Sequence, residues 1–268
     1  MIQHPCAKIN IGLDVINKRT DGYHDISSVL YPIPLFDELE ITPASELSFT
    51  VSGLNIPGNS DSNLVVKAWK LLHEHYSIPN VKIRLKKVIP MGAGLGGGSS
   101  DGSFALKMLS SLFELGLSDV ELENFAAQLG SDCPFFISGA PAYASGTGTT
   151  LTPISFSLSG YFLLLIKPDA HVSTANAYSN LKPHNPEKSL TETINYDINL
   201  WKDNIKNDFE SSVFSKFPEL RSLKETLYSK GAIYASMSGS GSSIFGIFKE
   251  KPETLPINHP QFILPLTI

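Results

Sequence analysis

The fold of this chain is decided by one stretch of its sequence, Pro90-Met91-Gly92-Ala93-Gly94-Leu95-Gly96-Gly97-Gly98-Ser99-Ser100-Asp101. Five of the seven residues in 92–98, here called the glycine loop, are glycine. Because glycine has no Cβ, backbone N–H groups in such a run can approach an anion closely. A helix that begins just after the loop adds free N–H donors and the positive end of its dipole. The stretch therefore predicts a phosphate-binding loop.

The residues on either side of the glycine loop have the patterns of a strand and a helix. Before it, 81–85 alternates apolar and basic residues, as a half-buried strand does. After it, apolar residues recur at three- and four-residue spacing over 104–115, which is typical of an amphipathic helix. The residue types at 99–101 suit an N-cap, and Gly116 suits the end of the helix. This order favours a phosphate loop over a flexible linker.

Two other phosphate-binding motifs fit less well. Gly92, Gly94 and Gly97 match the spacing of a dinucleotide-binding loop, which needs a second strand after its helix. Here Ser118 and Glu121 have the spacing of a capping box, so a second helix follows the first and weakens that interpretation. A Walker A loop needs Lys after its last glycine, where this chain has serine, and the H-R-D and D-F-G motifs of protein kinases are absent.

Composition and charge narrow the class of protein. The chain has 268 residues, 42% of them hydrophobic, and a net charge of −5, without the basic footprint of a nucleic-acid-binding protein. The longest apolar run, 161–166, is too short to cross a bilayer, and the N-terminus lacks the pattern of a secretory signal. Cys6 and Cys133 are expected to be reduced thiols. We therefore expect a cytoplasmic protein with no nucleic-acid, membrane or obligatory protein partner.

Mixed strand and helix patterns predict an α+β protein, with a domain boundary in the polar stretch around 150–160. Residues 182–188 are interpreted as a surface loop. Near the N-terminus, alternation over 6–15 predicts a strand with Lys8 and Asn10 on one face, opposite the apolar residues. Taken alone, that face is best interpreted as solvated.

Three further segments carry residues capable of chemistry. An Asp-Gly turn at 19–22 predicts a hairpin and leads to Tyr23 and His24. Gly130 ends a predicted helix and Pro134 predicts an extended chain, so Asp132 is expected at a helix-to-strand junction. There it serves either as a turn residue or as a partly desolvated carboxylate able to orient or deprotonate a hydroxyl.

The third segment is a second run of glycine and serine, residues 237–243, here called the Gly/Ser loop. It lies between the strand-like stretches 232–235 and 244–248, so a flexible hairpin tip is the simplest interpretation. Two loops of this composition in one chain nevertheless favour a shared ligand.

The order of all these segments resembles the GHMP kinase superfamily over nearly the whole chain. The resemblance implies a two-domain α+β architecture, with an N-terminal ATP-binding domain of the ribosomal S5 domain 2-like type and a smaller C-terminal substrate-binding domain. We place these at 1–154 and 155–268, with the active site between them. The implied reaction transfers the γ-phosphate of ATP to a hydroxyl of a small molecule that carries a cytosine base.

The resemblance also implies roles for individual residues. Asp132 orients or deprotonates the acceptor hydroxyl, while Lys8 neutralises charge and keeps Asp132 ionised; Asn63 lies near the adenine. The substrate-binding residues implied are Asn10, Tyr23, His24, Tyr178, Gly239 and Ser240, with Tyr23 and Tyr178 as aromatic rings that stack on cytosine. The ATP phosphates are expected against Pro90, Gly92, Gly94, Leu95, Gly96, Gly97, Gly98, Ser99 and Ser100. Magnesium is expected to arrive with the nucleotide and to be held mainly by its phosphates, without a dedicated protein ligand set.

The chain departs from the family pattern at two positions. Gly102 stands where alanine is more usual, and Thr149 stands where an acid is common. Three alternatives remain open from the residues. They are a GHMP kinase acting on homoserine, mevalonate or a sugar, a nucleotide-binding protein without catalysis and, more distantly, a dinucleotide-binding dehydrogenase.

Overall fold

A computed structural model describes residues 1–178, 181 and 183–267. The strands within these residues are β1 (Ile2–Gln3), β2 (Cys6–Lys18), β3 (His24–Phe36), β4 (Glu38–Pro43), β5 (Ser48–Gly53), β6 (Val81–Lys87), β7 (Ala142–Ser145), β8 (Thr150–Pro153), β9 (Phe162–Ile166), β10 (Tyr234–Met237), β11 (Ile244–Phe248) and β12 (Gln261–Pro265). The α-helices are α1 (Leu64–Tyr76), α2 (Gly97–Leu112), α3 (Asp119–Leu129), α4 (Phe135–Ser138), α5 (Thr174–Tyr178), α6 (Leu190–Thr193), α7 (Trp201–Asn204), α8 (Phe209–Lys216) and α9 (Pro218–Ser229). The predicted α+β class is confirmed. No helix in the part of the chain described is long and apolar enough to cross a membrane.

The chain forms two compact units that interleave along the sequence. The first contains Met1–Ala7, Leu35–Met91 and Gly96–Ala140, and the second contains Lys8–Pro34, Gly92–Leu95 and Pro141–Ile268. The glycine loop is therefore shared, since the second unit holds its first four residues and the first unit holds the rest. The assignment of ATP binding to 1–154 and substrate binding to 155–268 stays a prediction.

The first unit is a four-stranded sheet with helices packed on it. The strand order is β1-β4-β6-β5, with β4 antiparallel and β5 parallel to β6. The register places Leu39 opposite Leu85 and Ile41 opposite Ile83, and all four side chains are buried in the core under the helices. The alternation that predicted a strand at 81–85 arises because β6 turns one face to this core.

The predicted helix is present as α2, but it begins within the glycine loop, at Gly97, and both of its ends differ from the prediction. Its N-cap is Gly96, which forms no side-chain cap, and residues 99–101 lie inside the helix. The helix ends at Leu112, short of the predicted 115. Helix packing explains why glycine occurs at position 102, because a Cβ there would lie only 2.9 Å from the Cβ of Leu64 on α1. Glycine at this position therefore allows the two helices to approach closely.

The segment after α2 confirms one prediction and corrects another. Ser118 and Glu121 form the predicted capping box at the start of α3. Pro134, however, has helical backbone angles (φ −55°, ψ −34°) and caps the short helix α4. The predicted extended chain after Asp132 was wrong, because proline is equally suited to the start of a helix, where its missing N–H costs nothing. Asp132 therefore lies in a turn between two helices.

A buried ion cluster lies beneath the start of α2. The Lys87 side chain, fully buried at the end of β6, forms ion pairs with Asp37 and with Asp101, the latter at 2.8 Å. Asp37 Oδ1 also accepts hydrogen bonds from the N–H groups of Val88 and Ile89. Burial, opposed by Lys87 and reinforced by Asp37, raises the pKa of Asp101 to about 8. One ammonium group thus keeps two buried carboxyl groups together.

Lys87→Met is expected to destabilise the protein by about 3–5 kcal/mol at pH 8, because it leaves two buried carboxyl groups without a counter-charge. The loss should be smaller at pH 4, which is well below the raised pKa of Asp101, because the protonated Asp101 carboxyl group needs no cation. Urea unfolding at both pH values measures this. Lys86→Met, at the exposed neighbouring position, is the control, and equal stability of the two variants at pH 8 would contradict the prediction.

The second unit contains two four-stranded sheets, with orders β2-β3-β7-β8 and β10-β11-β9-β12. The predicted Asp-Gly hairpin joins β2 to β3, and Arg19 N–H donates to the carbonyl of Tyr23 across it. The Gly/Ser loop joins the antiparallel strands β10 and β11, as its flanking pattern predicted. Residues 183–186 lie outside helices and strands, while Lys182 lies outside the described residues.

The polar face predicted for β2 is not solvated. Lys8 is only 4% exposed and Asn10 only 5% exposed, so the interpretation as a solvated face was wrong. Strand β2 is buried on both faces, which a two-residue alternation of polar and apolar side chains cannot reveal. Burial of a lysine and an asparagine requires polar partners, and the structure provides them.

Candidate active site

In the first unit, the beginning of α2 is tied to the turn that carries Asp132. Ser103 Oγ contacts the carbonyl oxygens of Ser99 (2.9 Å) and Cys133 (2.7 Å), joining helix and turn. Burial raises the pKa of the Cys133 thiol to about 11, and a hydrogen bond to the Ser99 side chain opposes this shift. A half-buried Asp132 is therefore fixed next to the first turn of α2, where the sequence predicted phosphate-binding serines. Ser103 was not predicted.

Asn63 caps α1 and lines a cavity of about 450 Å³ in the same unit. Its Oδ1 accepts a hydrogen bond from Val65 N–H at 2.9 Å. The cavity wall combines apolar side chains, among them Phe49 and Met91, with Gly98 from the first turn of α2. An apolar slot beside a helix N-terminus suits a nucleotide, because the base can lie against the apolar wall while its phosphates meet free N–H groups.

Ser100 has a polar group available to such a ligand. Its side chain is buried, and its Oγ has no hydrogen-bond partner among the residues that the structure describes. Buried hydroxyls almost always have partners, so an exception calls for an explanation such as an unfilled ligand position. Pro90, also predicted to be part of the phosphate site, is buried just before the glycine loop.

In the second unit, Lys8 and Asn10 begin a chain of buried hydrogen bonds. Lys8 Nζ donates to Asn10 Oδ1 at 2.6 Å, and Asn10 Nδ2 donates to Ser28 Oγ at 2.8 Å. Ser28 Oγ in turn donates to the Gly12 carbonyl at 2.7 Å. This chain holds the ammonium group at a defined position, as charge stabilisation in a reaction requires.

The same unit joins the first residues of the glycine loop to the Gly/Ser loop. Ser238 Oγ donates to the Gly94 carbonyl at 2.9 Å and accepts from Asn10 N–H at 3.2 Å. Ser243 N–H donates to the Ala93 carbonyl, and Lys8 N–H donates to the Leu95 carbonyl. Gly94 has a φ of +76°, and a Cβ there would lie 2.0 Å from the Ser238 carbonyl oxygen. The two loops that the sequence linked only by composition are therefore in direct contact.

Two residues missed by the sequence analysis hold the Gly/Ser loop from its other side. Asn207 Nδ2 donates to the carbonyls of Met237 and Gly239, both at 2.8 Å. Glu210 Oε1 accepts from Met237 N–H at 2.9 Å and from Ser236 Oγ at 3.1 Å. The segment 207–210 carried no glycine-rich or catalytic motif, so no local signal marked it.

The aromatic residues predicted to bind a base are partly assembled. The rings of His24 and Tyr178 are stacked at a centroid distance of 4.7 Å, and Tyr178 also meets Phe209 edge-on. Tyr23 is 67% exposed. The structure therefore places Tyr178 beside the Asp-Gly hairpin, a proximity that the sequence could not give, since the two are more than 150 residues apart.

Gly92, Gly239 and Ser240, which the sequence also predicted to bind ligands, lie in the same unit as Lys8 and Asn10. A Cβ at Gly239 would be 3.1 Å from Asn10 Oδ1, and one at Gly92 would be 3.6 Å from the His171 ring. Ser240 is half-buried at the tip of the Gly/Ser loop.

Among the described residues, one further group has the composition of a metal site. Ligand atoms of Asp14, His184 and Asp208 lie within 4.8 Å of one another. Burial, followed by the nearby Asp208 carboxylate, raises the pKa of Asp14 to about 6. Val15 N–H already donates to Asp208 Oδ2 at 2.7 Å. This group contains none of the residues predicted from the sequence.

Comparison with known proteins identifies the family. The model of the GHMP kinases N terminal domain matches residues 63–140, and that of the GHMP kinases C terminal domain matches 190–255. The chain is 53% identical over 252 residues to 4-diphosphocytidyl-2-C-methyl-D-erythritol kinase of Bacteroides fragilis, covering 92% of each chain. It is 52% identical over 251 residues to the enzyme of the same name from Azobacteroides pseudotrichonymphae, covering 93% of this chain and 94% of that one.

Solved structures agree with this assignment. A crystal structure of 4-(cytidine 5'-diphospho)-2C-methyl-D-erythritol kinase, 32% identical, superposes with a TM-score of 0.79 and covers 92% of this chain and 89% of that one. The Methanococcus jannaschii mevalonate kinase, with a TM-score of 0.71, 14% identity and coverage of 100% and 98%, shares the fold alone. The chain therefore belongs to the GHMP kinase superfamily and, within it, to the family of 4-diphosphocytidyl-2-C-methyl-D-erythritol kinases.

Proposed function

We infer that this protein is a small-molecule kinase that transfers the γ-phosphate of ATP to the 2-hydroxyl of 4-diphosphocytidyl-2-C-methyl-D-erythritol. The products are the 2-phosphate and ADP, and the reaction belongs to the non-mevalonate pathway of isoprenoid precursor biosynthesis. The observation that carries this inference is 52–53% identity to relatives of that name over more than nine tenths of the chain.

Phosphoryl transfer requires chiefly that the two substrates be positioned and that developing charge be stabilised. We propose that Asp132 orients or deprotonates the acceptor hydroxyl, supported by its fixed place beside the first turn of α2. We propose that Lys8 stabilises negative charge, supported by its burial and its hydrogen bond to Asn10. Asn10 itself is proposed to contact the acceptor.

The ATP phosphates are proposed to bind the glycine loop and the residues beside it, from Pro90 to Ser100. Asn63 and the adjoining cavity are proposed to receive the nucleoside. The unpartnered Ser100 hydroxyl suits a phosphate oxygen or a water bound to magnesium. Magnesium is proposed to enter with the nucleotide and to neutralise phosphate charge when bound.

The cytosine base is proposed to stack on Tyr23 and Tyr178, with His24 as a hydrogen-bonding partner and the Gly/Ser loop residues Gly239 and Ser240 against the remainder of the acceptor. The aromatic grouping of His24, Tyr178 and Phe209 supports this placement. A cytoplasmic location and activity without a protein partner stay predictions from the sequence.

The test of the proposed function is ADP release from Mg-ATP by the purified protein, with and without 4-diphosphocytidyl-2-C-methyl-D-erythritol. We expect release that depends on this acceptor and is inhibited competitively by CDP. Homoserine and mevalonate are the comparison acceptors. ADP release with either of them, but not with the cytidyl compound, would contradict the proposal. A folded protein that binds ATP without turnover on any acceptor would be a nucleotide-binding protein instead.

Tyr23→Ala is expected to raise KM for the acceptor by about 5- to 150-fold, because stacking of a base on an aromatic ring contributes roughly 1–3 kcal/mol. The exposed ring of Tyr23 has little packing to lose, so stability should be unaffected. Steady-state kinetics measures the effect, with Tyr23→Phe as the control that retains the aromatic face. An unchanged acceptor KM in the alanine variant would remove Tyr23 from the proposed site.

A further inference from the structure

The buried side-chain amide of Asn207, in the second unit, forms hydrogen bonds both to the Gly/Ser loop and to the backbone of its own segment. It is 3% exposed, and its Nδ2 donates both of its hydrogens, to the carbonyls of Met237 and Gly239. Its Oδ1 accepts from Phe209 N–H at 3.0 Å. The two carbonyls flank Ser238 in the Gly/Ser loop, so this one side chain sets the path of the backbone on both sides of Ser238.

The backbone around Asn207 is joined to strand β2. Leu13 N–H donates to the Lys206 carbonyl and Asp208 N–H donates to the Leu13 carbonyl, both at 2.8 Å, which makes a parallel bridge between Leu13 and Asn207. Leu13 lies three residues beyond Asn10 on the same strand. Asn207 is therefore held in register with the strand that carries Lys8 and Asn10.

Ser238 completes the connection. Its hydroxyl accepts from Asn10 N–H and donates to the Gly94 carbonyl, so the fully buried Ser238 joins β2 to the glycine loop. A shift of the Gly/Ser loop would break both contacts. The path from Asn207 through Ser238 to Asn10 and Gly94 consists of hydrogen bonds that are all inside one compact unit.

We propose that Asn207 is a positioning residue for phosphoryl transfer: it fixes the Gly/Ser loop so that Ser238 holds the backbone of Asn10 and of Gly94 in place. In this role Asn207 acts through Ser238, since its amide is buried and donates both of its hydrogens to protein carbonyls. Displacements of about 1 Å are enough to lower catalytic rates by roughly 100-fold, so a residue of this kind affects turnover from a distance. The inference rests on the proposed kinase function.

The test uses Asn207→Asp, which preserves shape and the acceptor for Phe209 N–H but replaces the amide that donates twice. Asn204→Asp is the matched control, since Asn204 Nδ2 donates to the Leu200 carbonyl at an exposed site. Hydrogen–deuterium exchange is measured on peptides covering 8–12 and 237–241, and kcat is measured with ATP and the cytidyl acceptor. We expect faster exchange in both peptides and a kcat lowered by about 10- to 100-fold for Asn207→Asp alone.

Exchange and kcat equal to wild type in a folded Asn207→Asp protein would overturn the proposal. Faster exchange at 237–241 with unchanged kcat would also overturn it, since the residue would then be merely structural. If Asn207→Asp does not fold, Ser238→Ala is used instead. Its control is Ser229→Ala, because Ser229 Oγ also donates to a backbone carbonyl, that of Thr226, but is exposed at the end of α9. An unchanged kcat in Ser238→Ala would reject the proposed path. Hydrogen–deuterium exchange can be measured without turnover. A wild-type protein that is inactive on the acceptor would therefore contradict the proposed function, while the exchange result would still report on the hydrogen bonds of Asn207.

Discussion

Asp132→Asn is expected to lower kcat by about 10²- to 10⁴-fold, the range in which a positioned general base contributes to a reaction. The asparagine has almost the same shape, so the turn between α3 and α4 and its hydrogen bond from Ser103 should persist. The KM for ATP should change little. Steady-state kinetics with ATP and the cytidyl acceptor, together with thermal unfolding, measures both parts of the expectation.

Ser131→Ala is the control for this substitution, because Ser131 is exposed in the same turn. It should retain activity. A kcat near the wild-type value in Asp132→Asn would remove the aspartate from the reaction and leave the structural alternative, a turn residue, as its role. A protein that unfolds at the assay temperature would be recognised by its melting curve, and Asp132→Ser would then be measured instead.

Gly94→Ala is expected to reduce ATP-dependent turnover by about 100-fold or more, through displacement of the glycine loop from the Gly/Ser loop. The added Cβ would lie 2.0 Å from the Ser238 carbonyl oxygen, a backbone atom that cannot turn away as a side chain can. The left-handed backbone of Gly94 adds strain of its own. Both KM for ATP and kcat should change, because the loop is proposed to hold the phosphates.

Gly160→Ala separates the effect of backbone strain from that of the collision with Ser238. Gly160 has a φ of +86° and nothing within 4 Å of a Cβ placed there, so the variant has the backbone strain without the collision. It should lose about 1–2 kcal/mol of stability and keep its activity. Full activity in Gly94→Ala would mean that the contact between the loops has no part in catalysis.

The sequence correctly predicted a strand before the glycine loop and a helix after it, because glycine content and flanking periodicity are local properties. The same reasoning located the Asp-Gly hairpin, the capping box at Ser118 and the hairpin between β10 and β11. It failed where one residue type serves two local structures. Pro134 was expected to extend the chain, yet it begins α4, since proline fixes φ at a value common to both.

Burial was the other property that local patterns did not reveal. The sequence predicted a solvated face for Lys8 and Asn10 because these polar residues alternate with apolar residues along the strand. In the structure Lys8 donates to Asn10, and Asn10 in turn bonds Ser28 and Ser238, the latter 228 residues away. The buried Lys87 is a similar case, because its partner Asp37 is 50 residues away.

The sequence by itself determined the class of fold, the position of the glycine loop between a strand and a helix, the family and the residue types proposed for catalysis. These properties depend on neighbours along the chain or on the order of motifs, which a sequence displays directly. The tertiary structure alone decided that the Gly/Ser loop contacts Gly94, that Tyr178 stacks on His24 and that Asn207 holds Met237 and Gly239. Hydrogen bonds and stacking depend on distances of a few ångströms between residues far apart in the chain, and only folding sets those distances.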